Sequence, residues 1–185
     1  MGLRTLKEMA SYIAASEGRE DDAEWIAQKL RGAADRDLLK HADFGGAKRA
    51  KRFPASEMFA GRVLLAALAA GIQSDGLAEI ANDSRVETHD LLPDGRHVIY
   101  SRNAAFRSSL DPDDQTEWEL VVFHAESAET RKRVYVSSWR RDRVCHRDPD
   151  FHFEAQTVIP VSRLLAPLVV SLDDEDRASF EALEA

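Results

Sequence analysis

A short stretch dense in positive charge, residues 38–53, constrains the fold more than any other part of the chain. Gly45-Gly46 can adopt the positive φ angles that a tight hairpin turn needs. Phe44 and Phe53 are expected to pin the hairpin to the core. Its returning arm carries four cations in five residues, namely Lys48, Arg49, Lys51 and Arg52. The sequence therefore predicts a basic β-hairpin at this point.

An amphipathic helix is predicted over residues 5–16. Thr5 and Glu8 form the T-x-x-E pattern of a capping box, and Gly18 is a natural helix stop. The apolar residues recur at the spacing of one buried helical face. They are Leu6, Met9, Ala10, Ile13 and Ala14.

A second helix is predicted over about residues 22–33, with Asp21 or Asp22 as its cap. Trp25 is expected to anchor it in the core. The opposite side carries Gln28, Lys29 and Arg31, long polar side chains that suit contacts with base edges and phosphates. The residues expected to be buried are Ala23, Ile26, Ala27 and Leu30.

Two more helices are predicted after the hairpin. Pro54 fits the first turn of a helix over about residues 55–70. Gly71 ends it, and Ser74 or Asp75 caps a short fourth helix. The order helix, helix, basic hairpin, helix, helix is that of a winged helix-turn-helix, in which the cations of the wing meet DNA phosphates.

The pattern of the chain changes after about residue 84. Residues 91–100 indicate two strands around a Pro-Asp-Gly turn, and 103–115 read as a polar loop. Further strands are predicted at 118–123, 134–139 and 154–161. A helix follows from Ser162, with Pro167 expected to kink or break it, and Asp173 caps a last helix.

These patterns predict an α+β protein of two domains. Residues 1–82 would form the winged helix-turn-helix, and residues 85–185 a small, mainly antiparallel β domain with C-terminal helices. No linker composition marks the boundary, which rests on the change of periodicity near 83–86.

The net charge of the 185-residue chain is −8, but this charge is unevenly distributed. Residues 1–82 contain 12 Lys and Arg and 12 Asp and Glu, so the acidity lies in the second half. A neutral front with a local basic wing can bind DNA, because the direction of the field matters more than the total charge. The single cysteine, Cys145, and the absence of a signal-peptide pattern favour a cytoplasmic protein.

The front half resembles the DNA-binding domain of MerR-type regulators over about residues 4–82. The resemblance implies that the second helix (Gln28, Lys29, Arg31) enters the major groove and that the wing cations grip the DNA backbone. It lies in the order of elements and in Arg52-Phe53, Glu57, Arg62, residues 64–68, Gly71-Ile72, Leu77 and Glu79-Ile80.

The chain also departs from that family. The segment Glu17 to Asp22 is acidic and longer than a tight turn, which leaves room for extra structure. The long C-terminal dimerisation helix and the metal-sensing cysteines are absent from this sequence. The resemblance therefore extends to DNA binding, and not to metal sensing or promoter twisting.

Three other patterns have competing interpretations. Residues 131–147 combine seven cations with Tyr135 and Trp139, which is typical of nucleic-acid binding, although a strand paired with local acids is favoured. His146, Asp148, Asp150 and His152 alternate as metal ligands in a strand would, but a polar loop is favoured. Asp111, Asp113, Asp114 and Glu117 could hold Mg²⁺ or simply form turns.

The function predicted from the sequence is sequence-specific DNA binding by a transcription regulator of bacterial or phage type, without enzymatic activity, metal or cofactor. We expect double-stranded DNA as the partner and a homodimer formed through the C-terminal domain, because one wing and helix make few contacts. The acidic C-terminal half could also contact a protein, and no membrane segment is expected. The alternatives are an adaptor whose basic hairpin docks an acidic partner, or a metal-dependent nuclease.

Overall fold

The computed structural model describes residues 3–42, 51–83, 88–91, 97–141 and 151–181 and has a mixed α+β fold, as predicted. The described strands are β1 (Leu3–Arg4), β2 (Phe53–Pro54), β3 (Thr88–Leu91), β4 (His97–Tyr100), β5 (Trp118–Ser127), β6 (Arg133–Arg141) and β7 (Phe151–Pro160). The described helices are α1 (Leu6–Ser16), α2 (Ala23–Ala34), α3 (Ala55–Ala69), α4 (Ser74–Asp83), α5 (Arg102–Leu110), α6 (Val161–Ser171) and α7 (Asp174–Glu181). A short 3-10 helix covers Glu20–Asp22.

The chain divides into two compact units. The first contains residues 1–65 and 164–185, and the second contains residues 66–163. The predicted domains, 1–82 and 85–185, divide the chain elsewhere, because the change of periodicity follows strand content, whereas the compact units follow packing. Among the described residues, no helix combines the length and apolarity needed to cross a membrane.

The first helix forms as predicted. The Glu8 N–H donates to Thr5 Oγ1 at 3.3 Å, and the Thr5 N–H donates to Glu8 Oε2 at 2.6 Å, which completes the capping box. Gly18 has a φ of +65° just after the helix, a conformation that glycine adopts without a steric penalty. The buried face consists of Met9, Ala10, Ile13 and Ala14.

The second helix is also confirmed, and the 3-10 helix before it fills the long acidic segment. Asp22 takes the N-cap position but makes no side-chain capping hydrogen bond, because the 3-10 helix leads directly into α2. Ile26 and Leu30 are fully buried on its inner face. The prediction that Trp25 anchors the core is wrong, because 47% of its side chain is exposed. Trp25 precedes Ile26, and one residue turns a helix by about 100°, which carries the indole off the buried stripe.

Ala42 and Arg52 form an antiparallel bridge at the ends of the predicted hairpin, and the Ala42 N–H donates to the Arg52 carbonyl at 2.9 Å. Phe53 is fully buried, as expected of a residue that pins the arm to the core. Gly45-Gly46, Phe44, Lys48 and Arg49 lie outside the described residues.

The arm is also tied to the start of the chain, which the sequence did not predict. Strands β1 and β2 pair antiparallel, with Leu3 opposite Pro54 and Arg4 opposite Phe53. A two-residue strand carries too little periodicity to be recognised from sequence.

Helix α3 packs closely against α2 within the first unit. A Cβ atom added at Gly61 would lie 2.7 Å from Leu30 Cδ2. Because Leu30 is fully buried, glycine is what permits this approach. On the same helix, the Phe59 ring lies 4.9 Å from the ring of Phe180 in α7.

The C-terminal helices differ from the prediction at one point. Helix α6 continues through Pro167 to Ser171, although the proline was expected to kink or break it. Leu165 and Leu168, on either side of it, are fully buried, and this packing offsets the lost backbone hydrogen bond. The predicted cap of α7 is confirmed, since Asp173 Oδ1 accepts the Asp176 N–H at 2.8 Å.

The second unit contains an antiparallel three-stranded sheet in the order β6-β5-β7 and the two-stranded β3-β4 hairpin. The predicted strands are therefore confirmed, although β7 begins at Phe151. The predicted Pro-Asp-Gly turn between β3 and β4 lies outside the described residues. Leu120, Val121 and Val122 are all fully buried, so the central strand β5 is covered on both faces.

The polar loop predicted over residues 103–115 is wrong for its first part, which forms α5. Ser101 Oγ accepts the Ala104 N–H at 3.0 Å and so caps this helix. Ala105 and Phe106 are fully buried. The burial of these two residues stabilises the helix. The helix was not predicted because most of its residues are polar.

Candidate nucleic-acid interface

The exposed side of α2 presents the three residues predicted to contact DNA. Gln28 and Arg31 are exposed, whereas Lys29 is half-buried. The Lys29 amine lies 5.6 Å from the centroid of the Trp25 ring, within the range of a cation–π contact. The structure therefore places a cation and an indole side by side on this surface.

Two parallel stripes run along this exposed side at the helical spacing i, i+4, i+7, i+11, and the last member of each lies in the turn just after α2. They differ in chemistry, because the first contains two carboxylates and the second none. The first stripe is Glu24, Gln28, Arg31 and Asp35, and the second is Trp25, Lys29, Gly32 and Arg36. The predicted residues are thus divided between the stripes.

The described cations of the hairpin arm are Lys51 and Arg52, and both are exposed. Arg52 Nη1 donates to the Leu3 carbonyl at 3.1 Å. Arg52 therefore also connects the arm to β1. Lys51 is exposed at the surface. Lys48 and Arg49 were predicted to contact phosphates, and they lie outside the described residues.

The acidic segment before α2 is partly neutralised by neighbouring arginines. Arg62 Nε donates to Glu17 Oε1, and Arg19 Nη2 lies 3.1 Å from Glu17 Oε2. Arg19 Nε also lies 3.6 Å from Asp22 Oδ2. These pairs lower the negative potential next to the N-terminal end of α2.

In the described part of the basic stretch 131–147, the cations are used within the sheet. Arg131 lies 3.0 Å from Glu126, and Arg133 lies 3.7 Å from Glu154. Arg140 and Trp139 are buried. The strand of the favoured interpretation is therefore confirmed over residues 133–141, and two ion pairs with local acids accompany it.

The candidate metal ligands give no metal centre in the part of the chain that the structure describes, where no cluster of three or more His, Cys, Asp or Glu side chains could hold an ion. His152 is exposed on β7. His146, Asp148 and Asp150 lie outside the described residues, as does Cys145.

The carboxylates considered for Mg²⁺ hold the loop after α5. Asp114 Oδ2 accepts the Ser108 hydroxyl at 2.6 Å, and its Oδ1 accepts the Thr116 N–H at 2.9 Å. Burial alone would raise the pKa of Asp114, but the hydrogen bonds from Ser108 and Thr116 outweigh it and lower the pKa. Asp111 accepts the Asp113 N–H at 2.9 Å, and Glu117 pairs with Arg163 at the same distance.

A groove of about 840 Å³ lies in the second unit, and sequence reasoning missed it. Its position depends on Gly76 of α4, where an added Cβ would meet the Tyr135 ring at 2.8 Å. Burial raises the pKa of Glu79 there. The charged lining has both signs, because Arg133 lies among the carboxylates and its Nε is 3.7 Å from Glu154 Oε2. Its polar lining includes Gln73, Asp75, Glu79, His124, Tyr135 and Glu154.

Sequence reasoning also missed the exposure of Trp25 and the surface position of Gly32. The available signal was their spacing, because residues 25 and 32 both lie off the stripe formed by Ile26, Leu30 and Ala33.

In comparison with known proteins, no family model, curated protein or solved structure matches the chain.

Proposed function

We propose that this protein is a sequence-specific DNA-binding transcription regulator of bacterial or phage type, with a winged helix-turn-helix in its front half. One observation carries the proposal: an antiparallel bridge joins Ala42 and Arg52 between helices α2 and α3, at the ends of the predicted basic hairpin. The bridge supports the proposal, because duplex recognition by a wing and a helix needs a basic arm that follows a pair of helices.

The two parts of the interface have different roles in this proposal. Lys51 and Arg52, with Lys48 and Arg49, contact phosphates and set the position of the protein on the duplex. Gln28, Lys29 and Arg31 reach base edges in the major groove and supply sequence preference. The exposed positions of Gln28, Arg31, Lys51 and Arg52 support this division.

A single helix and wing make too few contacts for useful affinity, so the proposal includes a homodimer. Two copies on adjacent half-sites double the contacts and read an inverted repeat. The C-terminal half is the proposed interface.

The proposal is tested by selecting binding sites from a random duplex library with the purified full chain at near-physiological salt. Enrichment of an inverted repeat supports sequence-specific binding by a symmetric dimer. If no sequence is enriched and no duplex is retained even at low salt, the DNA-binding proposal is wrong.

The salt dependence of affinity separates DNA binding from an adaptor that docks an acidic protein. Log Kd for duplex DNA should rise steeply with log salt, and Lys51→Ala should lower the slope by about 1. Lys132→Ala is the matched control, because Lys132 is also exposed but lies beyond β5. An equal effect of both substitutions would mean that the arm is not the contact surface.

A further inference from the structure

Trp25 is the one tryptophan of three that the fold leaves on the surface. Its side chain is 47% exposed, whereas Trp118 and Trp139 are 3% and 4% exposed. An indole on the surface keeps a large apolar area in water, an arrangement enriched where a partner covers it. The contact with Lys29 leaves much of the ring uncovered.

Gly32 lies two turns further along the same stripe, and the fold does not require a glycine there. An added Cβ would meet nothing within 4 Å, and its φ is not in the left-handed region. Apart from proline, glycine is the least favourable residue in a helix interior. A glycine inside a helix that packing does not require is expected at a functional surface.

The charges around these two residues favour one kind of partner. Lys29 lies between them, and Arg36 Nε donates to the Gly32 carbonyl at 2.8 Å, which places a guanidinium beside the glycine. The parallel stripe contains Glu24 and Asp35, which repel phosphates. The Trp25–Arg36 stripe offers cations without a carboxylate at its own positions.

We propose that α2 meets duplex DNA along the stripe of Trp25, Lys29, Gly32 and Arg36. This inference rests on the proposed function and revises one part of it: the helix contacts the duplex through this stripe, so Lys29 pairs with a phosphate and Gln28 and Arg31 lie beside the contact. The missing side chain at Gly32 lets the sugar–phosphate backbone come close to the helix. Trp25 packs on an apolar part of the duplex, a thymine methyl or a deoxyribose ring, and the two cations neutralise phosphates.

The first measurement is the affinity of the full chain for the duplex enriched by selection, with the variants Trp25→Ala and Gly32→Ala. Each should weaken binding roughly tenfold. Gly32→Ala should at the same time raise Tm, because alanine favours the helix. A loss of affinity in a more stable protein cannot come from unfolding. Asp35→Ala, on the parallel stripe, is the control and should bind as the wild type does or more tightly.

Tryptophan fluorescence gives an independent readout. Addition of the duplex should quench or shift the emission of the wild type, and Trp25→Phe should abolish the change, because Trp118 and Trp139 are buried. Replacing thymine by deoxyuridine weakens the wild type, but not Trp25→Ala, if the indole packs on a methyl group. Unchanged binding after that replacement assigns the contact to deoxyribose.

The outcomes separate this inference from the proposed function. If the wild type binds its duplex and both Trp25→Ala and Gly32→Ala bind equally well, the stripe assignment is wrong and the DNA function stands. If the wild type binds no duplex, the proposed function fails. The stripe would then be examined as a protein contact by measuring self-association of wild type and Gly32→Ala.

Discussion

Arg4 Nη2 donates a hydrogen bond to the carboxylate of Asp176, 172 residues further along the chain. Asp176 is 1% exposed, so its charge is held almost entirely inside the protein. Burial alone would lower the pKa of Arg4, but the hydrogen bond and charge of Asp176 raise it. The pair joins β1 to α7 within the first unit.

Arg4→Ala should destabilise the fold by about 2–4 kcal/mol, because it leaves a buried carboxylate without its arginine. Urea unfolding measures the change. Arg19→Ala is the control: Arg19 is 43% exposed, and its pairs with Glu17 and Asp22 should contribute less than about 1 kcal/mol. The double variant Arg4→Ala/Asp176→Ala should be more stable than the sum of the single changes predicts. Additivity would mean that the two side chains do not interact.

The capping box of α1 should make the folding stability depend on pH. Thr5→Ala should cost about 1 kcal/mol, since Thr5 Oγ1 satisfies the Glu8 N–H. The backbone hydrogen bond from Thr5, with that from its side chain, lowers the pKa of Glu8. The contribution of the Glu8 charge is therefore present above the unfolded-state pKa and lost as the pH falls through the folded-state pKa. Thermal unfolding of wild type and Glu8→Ala should differ at neutral pH and converge in acid.

Two glycines in neighbouring helices should respond to alanine in opposite directions. Gly61→Ala should destabilise by about 1–3 kcal/mol, because the new Cβ would lie 2.7 Å from the buried Leu30 side chain. Gly32→Ala should stabilise by about 0.5–1 kcal/mol, because its Cβ meets open space. Denaturant midpoints of the two variants provide the comparison. If Gly61→Ala were as stable as the wild type or more stable, the packing of α3 on α2 would not depend on Gly61.

Glu79→Gln should stabilise the protein at neutral pH. Burial raises the pKa of Glu79, so the folded state favours its protonated form. That preference is fully present below the unfolded-state pKa and lost as the pH rises through the folded-state pKa. Asp75 and Glu154 line the same groove and add negative charge, while Arg133 opposes it. A pH series of Tm values should be flatter for the variant between the unfolded-state and folded-state pKa of Glu79, and an unchanged slope there would contradict the assignment.

Substitutions of the two described arm cations, Lys51 and Arg52, should distinguish a role in DNA contact from a role in stability. Lys51→Ala should weaken duplex binding without changing Tm. Arg52→Ala should lower both, because its guanidinium also donates to the Leu3 carbonyl. Affinity and thermal unfolding measured on the same samples distinguish the two roles. If Lys51→Ala lowered Tm as much as Arg52→Ala, Lys51 would have a structural contact as well.

The predictable parts of this fold were those with local signals. The capping box at Thr5, the stop at Gly18 and the cap at Asp173 lie within a few residues of what they stabilise, and all three are confirmed. Long-range pairs such as β1 with β2 and Arg4 with Asp176 have no such signal. Helix α5 was missed because two buried residues, Ala105 and Phe106, outweigh a polar composition.

The candidate site was predictable only in part, for a related reason. The spacing of Ile26 and Leu30 correctly placed Gln28 and Arg31 on the exposed side. The position of Trp25 was misjudged because its hydrophobic character was weighted above its place in the helical period. The close approach at Gly61 and the open space at Gly32 cannot be predicted from sequence, because both depend on which side chains of other elements lie nearby.

The composition of the first unit has a consequence for how the protein is made. The ring centroids of Phe59 and Phe180 lie 4.9 Å apart, and residues 1–65 form one compact unit together with residues 164–185. During synthesis, the core of this unit cannot close until residues 164–185 have left the ribosome. Such late, non-local closure slows folding and exposes apolar surface meanwhile. Nascent chains that stop before α6 should therefore depend on chaperones.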